Sequence, residues 1–353
     1  IVLAGGSRHA AAHYLDDSRV ALSIGEALFG STSRELAIPN VGVSERMSDA
    51  EAIAAFGLAM SRQVVSCLRE NKRLDDTARR FDSALQTKVQ AILLDLETAR
   101  QSQAVSAAFI ANLQGSGDLD NRWTREEVVQ LLCSLVGHNF VAPYEIDTSP
   151  VQKVAFERMA SSLGHGPELG RRCVDAHDLV LKELGLKKSL GWRMGLAAVG
   201  VVLVVAATGG LALAAAPGVA GAAAITSALA TFGPGGMVGG LATAGTLLST
   251  GTAAAAAALL NDESPAVLEG ALTNALTLSY ARKSLGYPDD LVAWHLVSSL
   301  HSGAAESLQS MQALSDKGSD SVKAHKARLD LIELAVEFLI AHELAPEQLT
   351  AGR

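Results

Sequence analysis

Cys173, His177 and Asp178 lie within one turn of a stretch that reads as helix. A thiol and an imidazole four residues apart share a helix face, as a nucleophile and its base must. Such a pair also needs a third group to orient the base, and the sequence offers none, so packing is the simpler reading. His9 and His13 have the same spacing, which can suit a metal ion. No Glu completes an H-E-x-x-H pattern and no third ligand stands out. Gly5-Gly6-Ser7-Arg8-His9 follows a short apolar stretch. It lacks the Lys-Ser/Thr of a P-loop and the third glycine of a dinucleotide fingerprint. His295 and His301 beside Trp294 read as half-buried residues, and Arg79, Arg80, Asp82, Asp95 and Glu97 as a solvated helix face. The chain is therefore expected to be no enzyme and to use no cofactor or metal.

The cysteines, Cys67, Cys133 and Cys173, are far apart and form no C-x-x-C. That argues against a disulfide scaffold or a zinc site and for buried thiols in a reducing compartment. The formal net charge is −8 over 353 residues. No basic stripe with interleaved aromatics is present, which excludes nucleic acid as an expected partner. Aromatic residues make up only 4% of the chain while Ala and Gly abound, a composition that suits close-packed helices better than sheets. The chain opens on Ile1-Val2-Leu3, with no basic n-region and apolar h-region of a signal peptide.

Helix signals follow one another from Ser48 onward. Ser48-x-x-Glu51 is a capping box opening a helix to about Asn71. Asp75 starts a long helix in which Phe81, Leu85, Ile92, Leu96 and Ala99 form a coiled-coil-like stripe, continuing to about Leu113. Thr124-x-x-Glu127, Ser149-Pro150 and Pro167 open three more. After residue 260, helices are expected over about 265–283, 288–314 and 319–345. Short strands are conceivable only at Ile1–Ala4 and Val20–Ile24.

Between these two helical parts runs Met194–Leu260, 67 residues without Asp, Glu, Lys, Arg or His. A bilayer crossing needs about 20 apolar residues, so the run is long enough for two. Met194–Ala216 forms the first segment, Pro217-Gly218 and Gly233-Pro234-Gly235-Gly236 break the chain, and Met237–Leu260 returns. Lys187, Lys188 and Arg193 precede the first crossing with Trp192 as an interfacial aromatic, which puts the flanking parts in the cytoplasm. Small residues recur at four-residue spacing: Gly191 and Gly195; Gly210, Ala214 and Gly218; Gly236, Gly240 and Ala244. Such spacing lets helix backbones approach closely and suits homo-oligomers. Thr246, Ser249, Thr250 and Thr252 could line a lumen or bond back to their own helix.

Leu190-Gly191-Trp192-Arg193-Met194-Gly195-Leu196-Ala197-Ala198-Val199-Gly200, followed by Thr208-Gly209-Gly210-Leu211-Ala212, resembles the Gly-rich membrane segment of the transmembrane-and-coiled-coil family. The resemblance extends loosely over residues 123–260. In that family an α/β-hydrolase domain follows, but here no G-x-S-x-G elbow does. The resemblance therefore implies a Gly-rich hairpin on a helical body and no hydrolase activity.

These readings combine into an all-α chain, a helical bundle and coiled-coil body carrying a Gly/Ala-rich hydrophobic helical hairpin. The expected divisions are a poorly defined segment 1–47, a helical domain 48–190, a transmembrane hairpin 191–261 and a C-terminal helical domain 262–353. The expected function is insertion into a lipid bilayer, homo-oligomerisation and pore formation or permeabilisation, as in a bacterial toxin or defence effector. The competing expectation is a membrane anchor or scaffold without a pore. A soluble form preceding insertion is compatible with either.

Overall fold

The computed structural model describes residues 49–99, 106–115, 123–141, 144–186, 256, 259–260, 265–288, 291–316 and 318–347. All of them belong to one compact unit, Val43–Arg353. Among the described residues every long element is helical and no strand occurs, so the fold class is all-α.

The helices begin where their capping chemistry lies. α1 is Asp49–Glu70, and a 3-10 turn at Lys72–Leu74 leads into α2, Asp75–Ala99. α3, Ala107–Gln114, is a separate short helix. The Ser106 side chain caps it by accepting from Phe109 N, and Gly115 ends it in the left-handed region at φ 85°. The long helix expected to reach Leu113 is thus two helices: Ser106 supplies the new start that the apolar stripe concealed. α4, Arg125–Val136, has the capping box that Thr124 and Glu127 spell out, with both reciprocal bonds formed. α5 is Ser149–Ser162 and α6 is Pro167–Glu183, each with proline in its first turn. α7 is Pro265–Ser284, α8 is Val292–Leu314 and α9 is Asp320–Ala341.

Two apolar clusters hold these helices together. The first joins α1 and the start of α2 to α3, α4, α5 and the first half of α6, through Phe56, Leu68, Phe81, Phe109, Leu132, Phe156 and Leu169 among others. The second joins the end of α6 (Val180, Leu184) to α7, α8 and α9, through Leu272, Val297, Leu300, Ile332 and Phe338. α7 belongs to both, contributing Leu278 and Ala281 to the first and Leu268, Leu272 and Leu276 to the second. It is buried almost all round, so its sequence shows no clean amphipathic stripe. Where α5 and α6 cross, a Cβ on Gly170 would lie 2.1 Å from the Phe156 carbonyl oxygen, so the crossing requires glycine.

The last described residues of the apolar run enter this body. Ala256 and Leu259 are buried in the second cluster, and Leu260 packs against it. Arg328 Nη1 donates to the Leu260 carbonyl at 3.3 Å, and a Cβ on Gly303 would meet Leu260 Cδ1 at 2.6 Å. Leu186, before the run, packs against the same cluster. The two flanks of 187–255 therefore leave and re-enter one core.

This corrects the membrane and pore reading. No helix among the described residues is long and apolar enough to cross a membrane. The expected return crossing, Met237–Leu260, ends in protein: its last described residues share a cluster with α7, α8 and α9, Leu260 lies against Gly303, and Arg328 donates to the Leu260 carbonyl. The physical reason is that hydropathy records transfer out of water and does not distinguish lipid from a protein core. Membrane protein, transmembrane hairpin, pore-forming toxin and membrane anchor thus find no support here.

Candidate functional site

Most of the buried polar side chains outside the loops gather where α4, α6 and α7 meet. α4 brings Gln130, Cys133 and Ser134; α6 brings Cys173 and His177; α7 brings Thr273, Asn274 and Thr277. Each helix presents small or polar residues at this junction, which lets three backbones approach without long side chains between them. Ser134 Oγ donates to its own helix at Leu131 O, 2.8 Å away. A cavity of about 10 Å³ remains, lined by Cys133, Ser134, His177, Thr273 and Asn274. That is room for about one water molecule.

The thiol and imidazole singled out above, Cys173 and His177, are both here, Cys173 fully buried and His177 nearly so. Cys173 is engaged across the helix interface. Its Sγ lies 3.9 Å from the Val129 carbonyl oxygen, one helical turn before Cys133. Burial, with the neighbouring Cys173 adding to it, pushes the Cys133 thiol well above its ordinary range. A thiol held protonated in a space for one water is no poised nucleophile for a substrate of ordinary size. The sequence identified Cys173 and His177 but not Cys133 as their neighbour, because forty residues separate the thiols and no local spacing reports a helix crossing.

A second concavity, an open groove of about 520 Å³, lies between α2 and residues 144–146. Arg79, Arg80 and Thr87 line one wall, and Tyr144 and Glu145 the other. Its arginines already have partners: Arg79 lies 3.6 Å from Asp75, and Arg80 lies 3.1 Å from Asp76. Asp82, on the same helix, accepts from Arg69 at 2.6 Å. Arg79 and Arg80 lie on the solvated face expected of them and are ion-paired there, while Asp82 is half-buried; the side chains of Asp95 and Glu97 lie outside the described residues. One turn along from Ala84, Lys88 Nζ donates to Phe140 O at 3.2 Å, and burial pulls its pKa down to about 8.

The other expected sites divide as follows. Trp294 and His301 are half-buried, as expected, while His295 is exposed on α8. His301 Nε2 faces Glu333 at 4.0 Å. His9, His13 and the Gly5-Gly6 turn lie outside the described residues, as do the strands at Ile1–Ala4 and Val20–Ile24. So do the small-residue face (Gly191, Gly195, Gly210, Ala214, Gly218, Gly236, Gly240, Ala244), the anchors Lys187, Lys188, Trp192 and Arg193, and the hydroxyls Thr246, Ser249, Thr250 and Thr252.

α8 and α9 pack against each other as a helical hairpin, more extensively than either packs against α7. On α8, no residue after Ala304 is buried. Leu308 and Met311 are only half-covered, and Leu314 is 88% exposed. On α9, Val322 and Ile332 are buried and His325 and Leu329 half-buried, with Leu329 packed against the second cluster. Leu308, Met311 and Leu314 follow one another at three-residue spacing and make an apolar seam at the end of α8.

No family model, no curated protein and no solved structure matches the chain. The resemblance noted above therefore rests on the quoted residues alone.

Proposed function

We propose that this chain is a non-catalytic helical protein that works by self-association, with the α8–α9 arm as its contact. The observation that carries the reading is the apolar seam at the end of α8, with Leu308 and Met311 half-covered and Leu314 88% exposed. A helix pair with apolar residues on its seam left wet gains about 25 cal/mol per Å² when a further helix covers them. A second copy supplies two helices with the same seam, which completes a four-helix bundle.

Charge supports the same partner. Between residues 305 and 331 the arm has four acids, Glu306, Asp316, Asp320 and Asp330, and four bases, Lys317, Lys323, Lys326 and Arg328. This outer stretch is neutral in a chain of net charge −8, although Glu333 and Glu337 bring the whole hairpin to −2, so two arms meeting through residues 305–331 avoid most of the repulsion.

Sedimentation velocity on the full chain tests this. The wild type is expected to sediment as a dimer or higher species, and Leu308→Glu with Leu314→Glu as a monomer of unchanged helix content. A monomeric wild type, or a mutant that assembles as the wild type does, refutes the reading.

A further inference from the structure

We infer that the open groove between α2 and residues 144–146 is a binding site for a small aromatic monocarboxylate, an acid whose carboxylate pairs with Arg79 and Arg80 while its ring lies on Tyr144. The groove holds about 520 Å³, within the range of about 300–1,000 Å³ that small-molecule sites occupy. It is separate from the α8–α9 arm and does not depend on self-association.

Both walls are fixed before any ligand arrives. On α2, Ala84 lines the groove and is itself buried, which gives an apolar floor. The opposite wall is held by its main chain. Tyr144 N donates to Val141 O at 2.9 Å, and Asn139 Nδ2 donates to Tyr144 O at 3.0 Å. Asn139 is oriented in turn by accepting from Val141 N at 3.1 Å. Ile146, next along this wall, packs against the first apolar cluster. Tyr144 is therefore anchored through both its backbone groups, yet it remains 48% exposed. A ring standing beside an apolar floor on a fixed backbone is a stacking surface that costs little ordering to use.

The arginines set the charge of the ligand. Their ion pairs run along α2 rather than across the groove. Arg79 lies 3.6 Å from Asp75 and 3.8 Å from Asp76, beyond hydrogen-bond length, and Arg80 meets Asp76 through Nε at 3.1 Å. The two side chains are 71% and 59% exposed, so water screens these pairs and they hold the guanidinium groups only weakly. A carboxylate offers two parallel oxygens to the guanidinium fork, which is the stronger arrangement. Glu145 on the opposite wall leaves the lining one net positive charge, and Asp75 and Asp76 stand one turn before the arginines. That field accommodates one negative charge. A phosphate monoester carries nearly two at neutral pH and would face three carboxylates.

The test uses the full chain and three probes that share one ring: 1-naphthylacetate, the dianion 1-naphthylmethyl phosphate and the neutral 1-naphthylmethanol. Binding is followed by calorimetry and by ligand-observed saturation-transfer NMR. The acid is expected to bind with a Kd on the order of 1 mM or tighter. The other two should bind at least about tenfold more weakly, as loss of one charge-assisted pair implies. Arg79→Gln with Arg80→Gln should weaken the acid about tenfold and Tyr144→Ala about fivefold, with helix content unchanged. Arg171→Gln, which alters an ion-paired arginine on α6, should bind as the wild type does, and so should Leu308→Glu with Leu314→Glu on the arm. The wild type alone gives a further reading: raising salt from about 50 to about 500 mM should weaken the acid and leave the alcohol unchanged. The inference is overturned if the acid shows no saturable binding up to about 10 mM, if the groove variants bind it as the wild type does, or if the alcohol or the phosphate binds as tightly as the acid.

Discussion

Gly170→Ala should destabilise the protein although alanine is the better helix former. The added methyl carbon would lie 2.1 Å from Phe156 O, 2.3 Å from Phe156 C and 2.7 Å from Glu157 N. All three are backbone atoms, so no side-chain rotation relieves the contact. An ordinary contact is about 3.5 Å, so starting from 2.1 Å the two helices must part by about 1.4 Å. A gap of 0.5–1 Å already forfeits roughly a quarter to a half of each dispersion contact. Phe156, Met159 and Leu169 are buried at this end of the core. If burial of each contributes about 2 kcal/mol and about 40% is lost, the cost is about 2–3 kcal/mol. Helix propensity returns at most about 1 kcal/mol. The net is a loss of about 1–2 kcal/mol, or about 2–8 °C in the unfolding midpoint for a body of this size. Thermal and urea unfolding followed by circular dichroism measure it, with Gly318→Ala as control, where nothing lies within 4 Å of the new methyl. A Gly170→Ala protein as stable as wild type, or more so, refutes the close crossing.

Thr124→Ala removes the side-chain half of the α4 capping box, in which Glu127 N donates to Thr124 Oγ1 at 3.3 Å, and keeps the backbone half, in which Thr124 N donates to Glu127 Oε2 at 2.7 Å. Urea unfolding should show a loss of about 1 kcal/mol, most of it restored by Thr124→Ser. Lys88 gives a pH signature: burial lowers its pKa to about 8 in the fold, below its value in the unfolded chain. Between those values the unfolded state binds more protons, so this group makes stability rise with pH from about 8 upward. Lys88→Met should flatten that rise in urea midpoints measured across the alkaline range; an unchanged slope means that the lysine is not desolvated.

Helix starts were the most legible feature of the chain. Thr124, Ser149-Pro150, Pro167 and Pro265 each mark the start of a helix at or next to the residue their chemistry indicates. Capping is local, so a few residues suffice to read it. The break between α2 and α3 was not legible because an apolar stripe persists through a change of helix. The candidate site was half legible. Cys173 and His177 are neighbours in sequence, whereas Cys133 and Thr273 reach them only through helix crossings, and crossings depend on which small residue faces which backbone. Ala256, Leu259 and Leu260 show the limit of hydropathy most plainly. Their apolarity was read correctly, and the surroundings that satisfy it were not.

The central position of α7 also bears on synthesis. The faces of α4 and α6 that it covers, including Cys133 and Val180, are complete once Glu183 has been made. Ser284, the end of their cover, follows 101 residues later. At about 5–20 residues per second, a ribosome takes roughly 5–20 s to span that distance. For those seconds the nascent chain exposes an apolar surface whose partner has not yet been translated, long enough for a chaperone, or a neighbouring nascent chain, to bind there first.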